Sequence, residues 1–214
     1  AENNTPHAFQ LIDEALDKTP TDDPETRAIA FLLRGDAWGR QRKFSAQVEE
    51  YKRALEQHSK FPLAYELIGH ALLETGKFPE ARDSFRRASS QSVPMPWSLL
   101  GYGIAQKNLG DLRSAITEFY KITDNFRQDE ILYRAHRQLG SCFYRRKEYD
   151  KAREHYTRAL EHVHNDIATL CDLTVICMES GELDDASNFL AMAIKGARNA
   201  PPASKEIAEK GLAS

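Results

Sequence analysis

Apolar residues recur along the chain at spacings of three and four, in segments separated by short polar breaks. The stretch Gly69 to Ala88 shows this arrangement clearly, because Thr75-Gly76-Lys77 interrupts two such segments. This spacing places apolar side chains on one face of a helix. It therefore predicts pairs of amphipathic helices joined by tight turns.

A fixed period runs through these helix pairs. Gly35, Gly69 and Gly103 are 34 residues apart, Gly140 follows after 37, and Thr174 follows after another 34. These five residues mark the repeats. At 12, 16 and 19 positions after each marker, most units have a small residue, an aromatic residue and a second small residue. In the five units these residues are Gln47, Tyr51 and Ala54; Ala81, Phe85 and Ala88; Ala115, Phe119 and Ile122; Ala152, Tyr156 and Ala159; and Ala186, Leu190 and Ala193.

This pattern resembles the tetratricopeptide repeat, a helix–turn–helix unit of about 34 residues. The segments YELIGHALLETGKFPEARDSFRRA and HRQLGSCFYRRKEYDKAREHYTRAL match it closely. The resemblance implies an all-α fold, a right-handed superhelical solenoid of stacked units that share one core. Larger or polar residues depart from the pattern and predict looser packing at Gln47, Ile122 and Thr174.

The repeats also suggest boundaries. We predict five units, at about 28–61, 62–95, 96–129, 133–166 and 167–200. Residues 1–27 form an N-terminal helix, either a half-repeat or a cap, with a linker. Residues 201–214 form a polar C-terminal capping helix after Pro201-Pro202. Within a unit, Gly69 and Ala81 are expected on facing helices, where a missing side chain allows close approach.

Composition narrows the function classes. The formal net charge is −3, so nothing draws the whole chain to nucleic acid or to an anionic membrane, and no apolar run could span one. No phosphate-binding loop or nucleophile motif is present, so we expect neither an enzyme nor a cofactor. His162 and His164 point to different sides of a helix, which favours surface histidines over metal ligands.

Three cysteines give a weak indication of compartment. Cys171 and Cys177 lie six residues apart on one predicted helix, beyond disulfide reach. A bridge from Cys142 to a neighbouring helix stays open. The odd count favours reduced thiols and a cytoplasmic location, with a processed extracytoplasmic form as the alternative.

The resemblance implies that the first helices of the units line a concave groove that holds peptides. On this basis we predict a peptide-binding site at Asp36, Arg40, Glu66, His70, Leu73, Trp97, Leu100, Ile104, Lys107, Arg134, Arg137, Ser141, Tyr144 and Arg145. Leu32 at one end and Cys171, Val175 and Met178 at the other extend the same stripe. The centre is apolar and the fourth unit is basic, so we expect an apolar and acidic partner segment. Arg134 could instead pair with Glu130, and Leu100 and Ile104 could pack between units.

The sequence therefore predicts a non-catalytic scaffold or adaptor that binds a peptide segment of another protein. Two alternatives are a regulatory or substrate-docking domain of a larger enzyme and a self-association module that forms a homo-oligomer. In chaperone-binding members, lysine, asparagine and arginine grip a Glu-Glu-Val-Asp tail. Here the matching positions hold Leu32, Asp36, Leu67, Trp97 and Gly101, so such tails are disfavoured.

Overall fold

A computed structural model describes residues 5–20, 22–91 and 95–199. Within these ranges the chain forms helices and no strand, which confirms the predicted all-α class. The helices are α1 (Thr5–Lys18), α2 (Pro24–Arg40), α3 (Phe44–Gln57), α4 (Pro62–Glu74), α5 (Phe78–Gln91), α6 (Pro96–Asn108), α7 (Leu112–Asn125), α8 (Asp129–Arg145), α9 (Tyr149–His162), α10 (Ile167–Ser180) and α11 (Leu183–Asn199). The predicted capping helix at 201–214 lies outside the described residues.

Each tight turn between the two helices of a pair contains a residue in the left-handed backbone conformation. Gly76, Gly110 and Gly181 adopt φ values of 70°, 90° and 82°. In the first and fourth repeats the equivalent residues are Arg42 and Lys147, at φ 57° and 60°. Glycine adopts this conformation without steric cost, whereas residues with a Cβ rarely do. The predicted turns at the three glycines are therefore confirmed.

In the first, second and fourth repeats the marker glycine packs beneath an aromatic ring. A Cβ on Gly69 would lie 2.7 Å from Cζ of Phe85, and one on Gly140 would lie 2.7 Å from Tyr156. Gly35 approaches Tyr51 in the same way. Gly69 and Ala81 lie on α4 and α5, the two helices of one pair, as predicted. The group nearest to Gly69 is the aromatic ring of Phe85, because a flat ring fills the space that the missing side chain leaves.

Gln47 replaces the small residue of the first repeat, and a second glycine lies opposite it. Its amide lies against Gly39, where a Cβ would come within 2.5 Å of Nε2. Other repeats carry larger residues at the position of Gly39, such as Leu73 and Tyr144. A second glycine thus makes room for the longer side chain of Gln47, and the predicted looser packing there stays a prediction.

The chain divides into two compact units, Ala1–Glu118 and Phe119–Ser214, with the boundary inside α7. The core of the first unit contains Tyr51 and Phe85, both fully buried. Phe85 also contacts the next pair, since a Cβ on Gly101 of α6 would overlap its ring. The core of the second unit contains fully buried Leu139, Leu170 and Leu173. The finer boundaries between repeats stay a prediction.

The helix α1 packs on α2. The ring of Phe9 lies 4.5 Å from that of Trp38, and the Asp13 carboxylate is 2.7 Å from the guanidinium of Arg34. Arg27 donates hydrogen bonds to the carbonyls of Leu16 and Thr19. These contacts tie the N-terminal helix to the first complete pair.

Candidate functional site

In the first unit, α2 presents one continuous exposed stripe. Ile29, Leu33, Asp36 and Arg40 are all exposed and follow one another at intervals of four, three and four residues. That spacing places them on a single helix face. Leu32, which the sequence analysis assigned to this stripe, is buried. Ile29 and Leu33 were missed, although their spacing from Asp36 was the signal that could have found them.

The corresponding stripe of α4 consists of Leu63, Leu67, His70 and Glu74. Leu63 and Glu74 are exposed, and the two between them are half-buried. Glu66 differs from its predicted place, because it is buried and accepts a hydrogen bond from the hydroxyl of Ser98 on α6. Burial raises the pKa of Glu66, although this hydrogen bond acts in the opposite direction. Glu66 therefore connects two helices and does not line the groove.

Five predicted groove residues lie on α6 and at the end of α4. Trp97 is 37% exposed, whereas Leu100 is only 4% exposed and belongs to the core. Leu100 is thus excluded from an open groove, as the packing alternative anticipated. Ile104 and Lys107 are half-buried, and Leu73 is half-buried against the core of the unit.

A cavity of about 340 Å³ opens where α2, α3 and α4 meet. Residues of both charges line it, together with an aromatic and an amide: Asp36, Gly39, Arg40, Phe44, Gln47, His70, Ala71 and Glu74. On one wall the hydroxyl of Tyr51 donates to Oδ1 of Asp36 at 2.5 Å and accepts from Nε2 of Gln47 at 2.8 Å. Burial raises the pKa of Tyr51, and the hydrogen bond to Asp36 adds to the shift. His70 lies edge-on to Phe85, with 5.0 Å between ring centroids.

In the second unit, the predicted basic patch on α8 is engaged by carboxylates. Nη2 of Arg137 is 3.1 Å from Asp172 of α10, and the guanidinium lies 5.8 Å from the ring centroid of Tyr133. Arg134 pairs with Glu130 at 2.8 Å, as the alternative in the sequence analysis expected. Arg145 is exposed, Ser141 is half-buried, and Tyr144 packs against Tyr149. On α10, Val175 and Met178 are exposed beside half-buried Cys171.

The sequence analysis missed a cluster of three histidines between α7, α8 and α9. Nδ1 of His136 lies 3.2 Å from Nδ1 of His155, whose Nε2 is 3.1 Å from the hydroxyl of Tyr120. His162 stacks on His136 and hydrogen-bonds to Asp129 at 2.9 Å. Burial, followed by the neighbouring His155, lowers the pKa of His136 to about 4. His162 is therefore part of a packed cluster, unlike the surface residue that was expected.

Three further observations concern metal binding, membrane-spanning helices and the cysteines. Among the described residues, no three His, Cys, Asp or Glu side chains come together in a way that could hold a metal ion. The part of the chain that the structure describes also contains no helix long and apolar enough to cross a membrane. Cys142, Cys171 and Cys177 are free thiols, and the first and last are buried.

The sequence matches models of a known protein family. Tetratricopeptide repeat models match residues 32–94 and 67–130, and a second such model matches residues 131–199. The chain belongs to the tetratricopeptide repeat family. No curated protein sequence matches it significantly.

Solved structures share the tetratricopeptide repeat fold at low sequence identity. BtubC from P. vanneervenii superposes with a TM-score of 0.75 at 15% identity, over 94% of this chain and 93% of that one. MamA from Desulfovibrio magneticus RS-1 gives 0.70 at 13% identity, over 80% and 95%. YrrB, described as a tetratricopeptide repeat protein with an unusual peptide-binding site, gives 0.65 at 17% identity, over 88% and 93%. At these identities the likeness concerns the fold alone.

Proposed function

We propose that this tetratricopeptide repeat protein is a non-catalytic scaffold or adaptor that binds a segment of a partner protein. The first helices of the repeats provide the binding surface. The observation that carries the proposal is the exposed, helically spaced stripe of Ile29, Leu33, Asp36 and Arg40 beside an open cavity. Membership of a family that generally serves as an interaction module supports it.

Exposed apolar side chains on these helices supply the main contacts. Ile29, Leu33, Leu63 and Trp97 are 45%, 53%, 41% and 37% exposed. Burying exposed aliphatic and aromatic side chains drives association, and tryptophan is enriched among residues that dominate binding energy. A partner segment with apolar side chains satisfies this surface.

The second unit provides a more polar surface. Val175 and Met178 are exposed on α10, and Arg137 and Arg145 lie on α8. Because Asp172 already pairs with Arg137, an acidic partner segment would have to displace one carboxylate with another. An acidic partner segment would therefore replace Asp172 at Arg137 and also contact exposed Arg145.

The experiment is a comparison of purified variants against a captured partner. Leu33→Asp and Trp97→Ala should each weaken binding by about 2 kcal/mol or more, which isothermal calorimetry measures. Leu109→Ala is the matched control, because Leu109 is 40% exposed but lies at the turn after α6. Circular dichroism verifies that all three variants fold. Wild-type affinity in both groove variants would refute this site.

Self-association is a second candidate, and one observation favours it. Leu183, Leu190 and Ile194 are exposed on one face of α11, at intervals of seven and four residues. A second copy could cover this face. Light scattering of Leu190→Glu against wild type tests the candidate: a dimer that becomes a monomer supports it, and a wild type that is monomeric at high concentration excludes it.

A further inference from the structure

Two carboxylates border the cavity of the first unit without an ion-pair partner among the described residues. Asp36 accepts one hydrogen bond, from Tyr51 to Oδ1, and its Oδ2 accepts none. Glu74, in the last turn of α4, makes neither a hydrogen bond nor an ion pair in the described part of the chain. Both side chains are exposed at the cavity. The lining therefore carries two carboxylates against one guanidinium, that of Arg40, so its formal charge is negative.

The cavity wall also contains an acceptor that lacks a donor. Oε1 of Gln47 is buried and has no hydrogen-bond partner within the described residues, while Nε2 of the same amide donates to Tyr51. Leaving such an oxygen unsatisfied costs free energy, about 1–3 kcal/mol in typical cases. Gln47 as a whole is half-buried and lines the cavity.

An apolar surface leads to this acceptor-rich cavity. Ile29 and Leu33 lie two turns and one turn before Asp36 on the same face of α2. Lysine and arginine combine an aliphatic stem with a terminal cation. Their stems suit Leu33, and their N–H groups suit the carboxylates and the amide oxygen.

We propose that the cavity between α2, α3 and α4 binds a lysine or arginine side chain of the partner segment. Asp36 and Glu74 hold the cation, Gln47 accepts a further hydrogen bond, and an apolar residue of the same segment packs on Ile29 and Leu33. This inference rests on the proposed function and specifies the chemistry that the first unit recognises.

Arg40 provides a test of whether the cavity binds a positively or a negatively charged group. It is exposed at the rim of the cavity, and none of the described residues forms an ion pair with it. Its positive charge repels a bound cation, so Arg40→Gln should strengthen the binding of a basic peptide about two- to threefold. If the cavity recognised an acidic group, the same substitution would weaken binding. The direction of this one effect distinguishes the two chemistries.

The experiment starts from a phage-displayed library of random 12-residue peptides, selected on the whole wild-type chain. Synthetic copies of the selected peptides are then measured by fluorescence anisotropy at low and high salt. The test variant is Asp36→Asn combined with Glu74→Gln, which keeps the shape and the hydrogen bond from Tyr51. The matched control is Asp150→Asn combined with Glu161→Gln, which removes two exposed carboxylates from α9.

Support requires selected peptides that share a lysine or arginine next to an apolar residue. Their affinity should fall at least tenfold in the test variant and at high salt, and stay unchanged in the control, with wild-type melting for both. Selected peptides without a basic residue, or with equal affinity for the test variant, would overturn the inference and leave the proposed function in place. Failure to enrich any peptide above an unrelated bait would overturn both.

Discussion

The first and fourth repeats differ at one equivalent buried position. Fifteen residues after the marker glycine, the first repeat has Glu50 and the fourth has His155, and both are buried. Glu50 is 2.8 Å from Arg34 and 3.2 Å from Arg53. His155 is held by neutral groups, His136 and Tyr120, and stacks on Phe143 at 5.4 Å. One repeat satisfies its buried polar residue with an ion pair, and the other with a chain of uncharged rings.

This difference shows how tolerant the repeat is. The glycine and the aromatic ring beneath which it packs are common to both repeats, at Gly35 and Tyr51 and at Gly140 and Tyr156. Those contacts set the spacing of the helices. The layer beside them then accepts any polar arrangement whose hydrogen bonds are satisfied. The two units should consequently respond differently to pH and to charge-removing substitutions.

The largest expected effect is a loss of stability of the second unit in acid. The pKa of His136 falls from 6.5 to about 4 in the folded state. A group with a depressed basic pKa binds its proton mainly when unfolded, so stability is complete above about pH 6.5 and is lost as the pH falls toward 4. The loss amounts to about 3 kcal/mol. Burial lowers the pKa of His155 as well.

Among the described residues, none supplies a buried counter-charge to the cluster. Tyr120 of α7 and Asp129 at the start of α8 face it, the latter through His162. Glu154 of α9 acts to raise the pKa of His155, and Arg158 acts to lower it. Hydrogen exchange measured helix by helix between pH 7 and 4 separates the units, and tryptophan fluorescence reports on the first unit alone through Trp38 and Trp97.

His136→Phe is the variant that sharpens this prediction, because the first repeat has Phe31 at the same position. It should flatten the acid dependence of α8 and α9 while leaving that of the first unit unchanged. Equal acid dependence in wild type and variant would show that the histidine cluster is protonated without cost.

The second effect concerns Gln47 and Gly39, which distinguish the first repeat from the others. Gly39→Leu should overpack the Gln47 amide and cost about 2 kcal/mol in the free energy of unfolding. Adding Gln47→Ala, the residue of the other repeats, should recover more than half of that loss. A denaturant-based double-mutant cycle measures the coupling. Strictly additive effects would mean that Gly39 does not accommodate Gln47.

A smaller effect is expected from Glu50→Gln. The amide keeps the shape of the side chain but converts two ion pairs into hydrogen bonds from a guanidinium to a neutral acceptor, and Arg34 retains Asp13. The expected cost is about 1 kcal/mol, greater at low salt than at high salt. Glu49→Gln on the exposed side of α3 is the control. If both variants lost the same free energy of unfolding, the buried ion pairs of Glu50 would contribute no more than an exposed contact does.

The smallest effect concerns the turns. Arg42 and Lys147 adopt positive φ where the other repeats have glycine. Lys147→Gly should relieve the strained backbone and stabilise the second unit by at most about 1 kcal/mol, visible as a small rise in melting temperature. Lys151→Gly, inside α9, should destabilise instead. A loss of stability in Lys147→Gly would show that the lysine side chain outweighs the backbone strain.

Most of the fold was predictable from the sequence because each repeat is encoded by residues close together in the chain. The 34-residue period, the small residues and the turn glycines are local signals, and each has one structural meaning: a close approach or a left-handed turn. Even the departure at Gln47 was visible as a break in the pattern. Its compensation by Gly39 was not, because it depends on how far an amide reaches across a helix pair.

The site depended on tertiary structure to a greater degree. A rotation of one residue around α2 separates exposed Leu33 from buried Leu32, and on α6 exposed Trp97 and buried Leu100 are only three residues apart. Periodicity does not resolve this difference, because the apolar faces of these helices are broad.

Sequence alone thus determined the family, the helix pairs and the general face on which binding is proposed. Tertiary structure decided which polar groups meet. Asp172 reaches Arg137 from 35 residues away, and three histidines from two helices meet between α7, α8 and α9. The physical reason is that ion pairs and imidazole stacks depend on distances of a few ångströms between side chains, and a one-dimensional pattern fixes only the helix on which each side chain lies.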